Sequence, residues 1–448
     1  MDIPADFPAC NFMKFYSTND RKLRVPLAEA VFRSLPADGG LYMPDRIPTI
    51  DPFVFRNITD YSFQELAFIV ADALLGEDIP KADLKEIVEE TLGFDAPVRF
   101  LTPNTAVLEL FHGPSFAFKD FGARFMSRVM AYLSKDEKQQ LDVLVATSGD
   151  TGGAVALGFL GVQGTRVTIL YPKGKVSKIQ EQQLTGNGEN IRALEIDGTF
   201  DDCQAMVKRA FNDADLNGSL CLTSANSINI ARLIPQTFYY VWAYAQLRSQ
   251  GADRVVFTVP SGNFGNIGAG LLAYRMGLPA MQFVAATNAN DTVPRYLNTG
   301  EYRPQTSRQT LSNAMDVGDP SNWIRILDLF NHNLDDLRAM LTSYTFDDEQ
   351  TRMGILELYN QYGYVACPHT AIGYLAAERY RSEQPGDYAS LFLSTAHPCK
   401  FPEAIPADIY KSVTFPKAAS SLSSERKAVV SLPVDFEQFK SYLLNSAD

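Results

Sequence analysis

Val143-Leu144-Val145-Ala146-Thr147-Ser148-Gly149-Asp150-Thr151-Gly152-Gly153 is the stretch on which the fold class turns. A short apolar run rich in valine reads as a buried strand, the glycine cluster as a tight turn, and the Ala-rich residues beyond it as a helix. Strand, glycine turn and helix in that order make one parallel βαβ unit. The pattern recurs where Val255-Val256-Phe257-Thr258-Val259 runs into Ser261-Gly262-Asn263-Phe264-Gly265-Asn266, and where Val167 to Leu170 ends at Tyr171-Pro172-Lys173-Gly174. From about residue 100 the chain is therefore expected to be α/β, with parallel sheets and flanking helices. Ligands of such open sheets lie beyond the carboxyl ends of the strands, so these loops are where chemistry is to be sought.

Upstream, residues 1–95 mix turn signals such as Ala37-Asp38-Gly39-Gly40 with amphipathic stretches, Phe63 to Leu75 and Asp83 to Leu92, whose apolar spacing is helical. A mainly helical N-terminal segment is expected there. No repeat with a period of about 20 to 50 residues is visible, and low complexity is limited to a short Ala/Ser patch, Ala418 to Ser424.

The 448 residues, 46% of them hydrophobic, are enough for two or three domains with sizeable cores. A formal charge of −12 argues against general affinity for nucleic acid or anionic membrane, so an anionic ligand must be held by local donors. Cys10, Cys203, Cys221, Cys367 and Cys399 are odd in number and never spaced C-x-x-C, which suggests neither a disulfide framework nor a zinc site but a reducing compartment. Acids near Met1, where a signal peptide would be basic, make the expected location cytoplasmic. The most membrane-like window, Val143 to Gly164, is broken by Asp150, and a spanning helix needs about 20 predominantly apolar residues.

Each glycine turn places backbone N–H groups and the positive end of a helix at a strand end, a combination that binds phosphate without a charged side chain. Two such turns suggest two phosphates; the same glycines also fit turns with no ligand. Gly262-x-x-Gly265-x-x-Gly268 is not the dinucleotide fingerprint, and no G-x-x-x-x-G-K-[ST] run exists for a nucleotide. Lys119, in Phe116-Ala117-Phe118-Lys119-Asp120-Phe121, is an amine among aromatic rings. Desolvation lowers such an amine's pKa, as Schiff-base chemistry requires, although a snorkelling lysine paired with Asp120 fits the same residues. The four histidines, His112, His332, His369 and His397, form no H-E-x-x-H or other close ligand set, so no metal is expected. A hydrolase triad lacks its G-x-S-x-G elbow.

Taken in order, Phe118-Lys119-Asp120, Thr147 to Gly152, Ser261 to Asn266 and Ser394-Thr395-Ala396-His397-Pro398 resemble the fold-type II pyridoxal-phosphate enzymes, and among them the threonine synthase family. Tyr16-Ser17-Thr18, Asp38 to Pro44, Phe111 to Ser115, Asn226 to Leu233 and Cys367 to Ala371 extend the resemblance over essentially the whole chain from Met13, leaving residues 1–12 as an extension or the result of an upstream start codon. The resemblance implies a two-domain, tryptophan synthase β-like architecture. A large cofactor-binding domain would comprise residues 96–130 and 223–448, and a small mobile domain residues 131–222.

It also implies pyridoxal 5′-phosphate as cofactor, Lys119 as its Schiff-base and catalytic residue, and Gly262, Asn263, Phe264, Gly265 and Asn266 around its phosphate. Thr395 would face the pyridine nitrogen with a hydroxyl, and Asp150 would lie near the 3′-oxygen. The implied substrate is O-phospho-L-homoserine, with Ser148, Thr151, Asn229, Arg232, His112, His369 and Lys178 or Lys175 as candidate ligands. Asn229 and Arg232, spaced i, i+3, would share one helix face; His112 and His369 also fit buried structural imidazoles. The implied activity is a carbon-oxygen lyase reaction giving L-threonine and phosphate in a monomer or homodimer. A lyase releasing a 2-keto acid and a noncatalytic phospho-ligand-binding relative are the alternatives; retention of Lys119 argues against the second.

Overall fold

The computed structural model describes residues 13–135, 140–420, 422, 427 and 429–445. The expected N-terminal extension, with Cys10, and part of the Ala418–Ser424 patch lie outside the described residues. In the N-terminal segment β1 (Phe15–Ser17) pairs antiparallel with β2 (Arg24–Val25) and with β3 (Tyr42–Pro44). The helices Phe63–Leu75 and Lys81–Thr91 follow. Ser62 and Glu65 close a reciprocal capping box, and Phe63, Leu66, Ala67, Val70, Ala71 and Leu74 form the buried stripe that the i, i+3/i+4 spacing predicts. The segment is thus largely helical, with a small sheet whose two- and three-residue strands are too short to produce a periodic pattern.

β4 (Val98–Thr102) and β5 (Thr105–Glu109) form a hairpin at the edge of the larger sheet. The chain then builds a second sheet from β6 (Leu141–Ala146), β7 (Thr165–Pro172), β8 (Ile191–Asp197) and β9 (Cys221–Ser224). It returns to the first through β10 (Val255–Pro260), β11 (Ala280–Thr287), β12 (Leu341–Thr345) and β13 (Ala389–Ser394). The six-stranded order is β12-β11-β10-β13-β5-β4, parallel except for β4. β6, β7 and β10 are buried at every position, as strands covered by helices on both faces must be.

One expected boundary fails. Residues 223–448 do not all join the larger sheet, because β14 (Val429–Pro433) pairs in parallel with β8, making the second sheet β14-β8-β7-β6-β9. The helix that follows buries Phe436, Phe439 and Leu443 against Met206, Val207 and Leu216 of the 131–222 unit. Edge pairing of this kind has no local signal: the strand is a short β-branched run like many others, and only the apolar face behind it decides where it docks. The carboxyl ends of β6, β10 and β13 each lead into a segment that supplies cavity residues, namely Asp150, Gly262 to Asn266, and Thr395.

Candidate active site

The N-terminus of the helix Lys119–Leu133 is pinned beside β13. Phe118 N–H donates to the Thr395 carbonyl at 2.9 Å, and Ala117 bridges Ala396. This brings Lys119 and Thr395, distant in sequence, to one cavity with Asp150, Ser227, Arg232, the Gly262–Asn266 turn and His369. Asp120 is turned away from Lys119: it is fully buried and accepts the Ser115 N–H at 2.9 Å. The paired, snorkelling alternative for Lys119 is thereby removed. Its Nζ sits 5.1 Å from the centre of the Phe118 ring, and burial, with Arg232 adding to it, lowers its pKa to about 8.

The Gly262–Asn266 turn is an anion cradle. Phe264 takes the left-handed conformation at φ 58°, the helix Gly265–Arg275 starts there, and the N–H groups of residues 262 to 266 have no acceptor among the described residues. Ser261 and Asn266 lock the turn from beneath, Oγ to Oδ1 at 2.7 Å, and Asn266 Nδ2 donates to the Pro260 carbonyl. Asn263 bridges outward, donating to Ser227 Oγ at 2.7 Å and accepting from Ser321 N–H at 2.6 Å. A Cβ on Gly262 would lie 2.5 Å from Met315 Cα, so only glycine fits where the turn meets this wall.

The turn after β6 behaves differently. Thr147 Oγ1 accepts the N–H groups of Gly149 and Gly152 at 2.9 and 2.8 Å, so this loop satisfies part of itself. It presents a carboxylate, Asp150, where a second phosphate was expected, and charge of that sign opposes one. Gly149 takes φ 135° with Gln180 packed against it, and a Cβ there would approach the Gln180 side chain to 2.5 Å. Ser148 and Thr151, in the same turn as Asp150, are not among the residues lining the cavity.

Arg232 reaches the cavity and is 4% exposed. It crosses Gly122, one turn after Lys119, where a Cβ would lie 2.7 Å from Nε. One Nη donates to the Ala225 carbonyl, while Nε has no partner among the described residues. Burial lowers its pKa to about 10, offset by Asp120. A buried guanidinium in a cavity wall with an N–H left unsatisfied calls for an anion. Asn229 is a correction. The helix begins only at Ile230, so Asn229 is its N-cap rather than a member of one helix face. Its Oδ1 accepts from Ala231 N–H and its Nδ2 donates to Val31 O and Ser34 Oγ, which occupies the whole amide away from the cavity. Asn229→Ala should therefore cost about 2 kcal/mol of stability, from the cap and the stranded acceptors together. Urea unfolding measures that, with KM for substrate expected to change less than about twofold, well under the tenfold that 1.4 kcal/mol of binding represents.

His369 lies in the cavity wall, 3% exposed, with Nε2 accepting from Ala314 N–H at 3.3 Å. Burial lowers its pKa to about 4, so it is a neutral imidazole at physiological pH. His112 does not line the cavity: it is exposed and bonded to Glu109 at 2.9 Å. Lys175 and Lys178 are also exposed and outside the cavity lining. Sequence reasoning missed Ser227, Gln236, Ala314 and Met315 of the lining. Ser227 lies within Asn226 to Leu233, in the loop three residues before the helix begins at Ile230.

These residues fit pyridoxal phosphate by the chemistry of the donors: an amine with no ion-paired partner among the described residues, a cradle of free N–H groups that a Cβ would fill, and the Thr395 hydroxyl in the same cavity. The fold and site define a pyridoxal-phosphate-dependent enzyme, and the sequence profile described in those words, Pyridoxal-phosphate dependent enzyme, matches residues 104–396. Profiles described as Threonine synthase N terminus and Threonine synthase, C-terminal match residues 14–92 and 370–443. The chain belongs to the threonine synthase family. It is 42% identical to the threonine synthase of Serratia marcescens over 432 residues, covering 96% of this chain and 99% of that protein. The crystal structure of the Escherichia coli threonine synthase superposes with a TM-score of 0.89 at 41% identity, over 97% of this chain and 100% of that one. A PLP-bound threonine synthase from Brucella melitensis gives the same TM-score at 34% identity, over 97% and 99%.

Proposed function

We propose that this enzyme converts O-phospho-L-homoserine and water into L-threonine and inorganic phosphate, with Lys119 as the proton carrier. The observation that carries this reading is the charge pattern of the cavity. Lys119 and Arg232 are both buried without an ion-paired carboxylate among the described residues, and the 262–266 N–H cradle is a separate site for negative charge. A phosphorylated cofactor and a phosphorylated substrate answer the two demands. Gly262, Asn263, Phe264, Gly265 and Asn266 would hold the cofactor phosphate, Thr395 would face its ring nitrogen, and Asp150 would lie near its 3′-oxygen. Pyridoxal phosphate, when bound, supplies an electron sink for negative charge developing on the substrate carbons.

Arg232, with Ser227 beside it, orients the substrate phosphate. Lys119, with a pKa of about 8, both takes and returns protons near neutral pH. It removes protons from Cα and Cβ as the C–O bond to phosphate at Cγ breaks, and returns one at Cγ and one at Cα; water adds at Cβ, its hydroxyl bonding to carbon and its proton passing to the departed phosphate. His369, neutral and fixed by Ala314, shapes the wall without competing as a base. The reading requires Lys119 to reach all three carbons, and such positioning is worth up to about 7–11 kcal/mol of the barrier.

A monomer or homodimer acting in the cytoplasm completes the reading. Among the described residues no helix is long and apolar enough to cross a membrane. Incubating the loaded protein with O-phospho-L-homoserine and quantifying phosphate, threonine and 2-ketobutyrate tests the reading. Equal phosphate and threonine is the expected result; phosphate with 2-ketobutyrate in place of threonine would move the protein to the eliminating lyases.

A further inference from the structure

Among the described residues that line the cavity, Asp150 is the only acid. Its Oδ1 takes two donors, Lys400 Nζ at 2.6 Å and Gln180 Nε2 at 2.9 Å. No described residue donates to Oδ2. Lys400 is 0% exposed, does not line the cavity, and makes its other bond to the Ser115 carbonyl at 2.9 Å. An ammonium so enclosed is costly to desolvate unless its charge is matched, and the same holds for the carboxylate it meets. Lys400 comes from the turn after Thr395, whereas Asp150 and Gln180 begin the two helices after β6 and β7.

We propose that Lys400 is a positioning residue. By holding Oδ1 it keeps Asp150 ionised and leaves Oδ2 to the cavity, where the negative charge supports a positive charge on the Lys119 nitrogen, free or joined to the cofactor. The inference rests on the reading of Lys119 as the cofactor's lysine. The other groups facing this carboxylate are accounted for. Lys119 and Arg232 approach from the cavity, His369 stands in its wall as a neutral ring, and the Cys367 and Cys399 thiols lie behind, pushed up by burial. Without Lys400, the remaining donor to Oδ1 is the neutral Gln180 amide, and a buried carboxylate so placed takes up a proton.

The test is a pH titration of the visible absorption of the lysine-bound cofactor in the loaded enzyme, with thermal melting alongside. Lys400→Met should lower the apparent pKa of that band by about half a unit or more. Asp150→Asn should lower it further, because the unpaired Lys400 charge then acts on Lys119. The double variant, with neither charge buried, should melt above both single variants, a coupling that simple loss of packing does not give. An unmoved or raised pKa in Lys400→Met would overturn the proposal, since Asp150 would then be ionised without Lys400. Should that variant not fold, Lys400→Gln and the double variant carry the same comparison. A wild-type enzyme with no visible band would instead overturn the reading of Lys119.

Discussion

Lys119→Ala is expected to abolish turnover and the visible absorption of the lysine-bound cofactor together, with the fold intact. The amine is the one group in the cavity that combines a free nitrogen, a pKa of about 8 and proximity to both Thr395 and Arg232. Proton transfer by a positioned group contributes roughly 10²–10⁴-fold in rate, so loss of at least that factor in phosphate release is expected from this role alone. Stability should not suffer. Removing a buried ammonium that stands near Arg232 and Lys400 relieves a desolvated, like-charge arrangement, so the thermal midpoint at neutral pH should hold or rise. Absorption spectra, phosphate release and melting curves on the same preparation give all three. Retention of the visible band, or turnover within tenfold of the parent, would contradict the role of this residue.

Gly262→Ala should weaken cofactor binding by about tenfold to a hundredfold, and Gly265→Ala much less. Both glycines belong to the same turn and neither has a positive φ, so the difference between them is contact rather than backbone strain. At Gly262 the added methyl would meet backbone on the facing wall, with Met315 Cα at 2.5 Å and its carbonyl carbon at 3.0 Å. At Gly265 the nearest atom is the Asn322 side-chain nitrogen at 3.3 Å, which has to give by only a few tenths of an ångström. Overpacking of the first kind costs about 1–3 kcal/mol, and here it displaces either the cradle or the Asn313–Met315 turn. Equilibrium titration with pyridoxal phosphate separates the two; equal affinities for the two variants would contradict the close approach at Gly262.

What could be read from sequence was what local chemistry determines. Lys119 stood out because three aromatic rings crowd it, and the Ser261–Asn266 turn because glycines and an asparagine follow a strand and open a helix. Partners made by the tertiary fold left no such mark. Lys400 follows a proline and a cysteine in a stretch that reads as a loop, and nothing near it announces that Asp150, 250 residues earlier, accepts its charge. Asn229 was misread because i, i+3 spacing presumes a helix already begun, whereas the side chain starts the helix instead. β14 docks on β8 because the Phe436, Phe439 and Leu443 face needs the core of the 131–222 unit, a long-range demand no window of sequence contains.

The central claim, C–O cleavage at one carbon followed by addition of water at its neighbour, is tested most directly by running the reaction in ¹⁸O-labelled water and weighing both products. The account predicts one labelled oxygen in threonine, as the new hydroxyl, and none in the phosphate, which departs with the bridging oxygen it already held. Labelled phosphate accompanied by unlabelled homoserine would mean that water attacks phosphorus, and would contradict proton transfer by Lys119 at the substrate carbons.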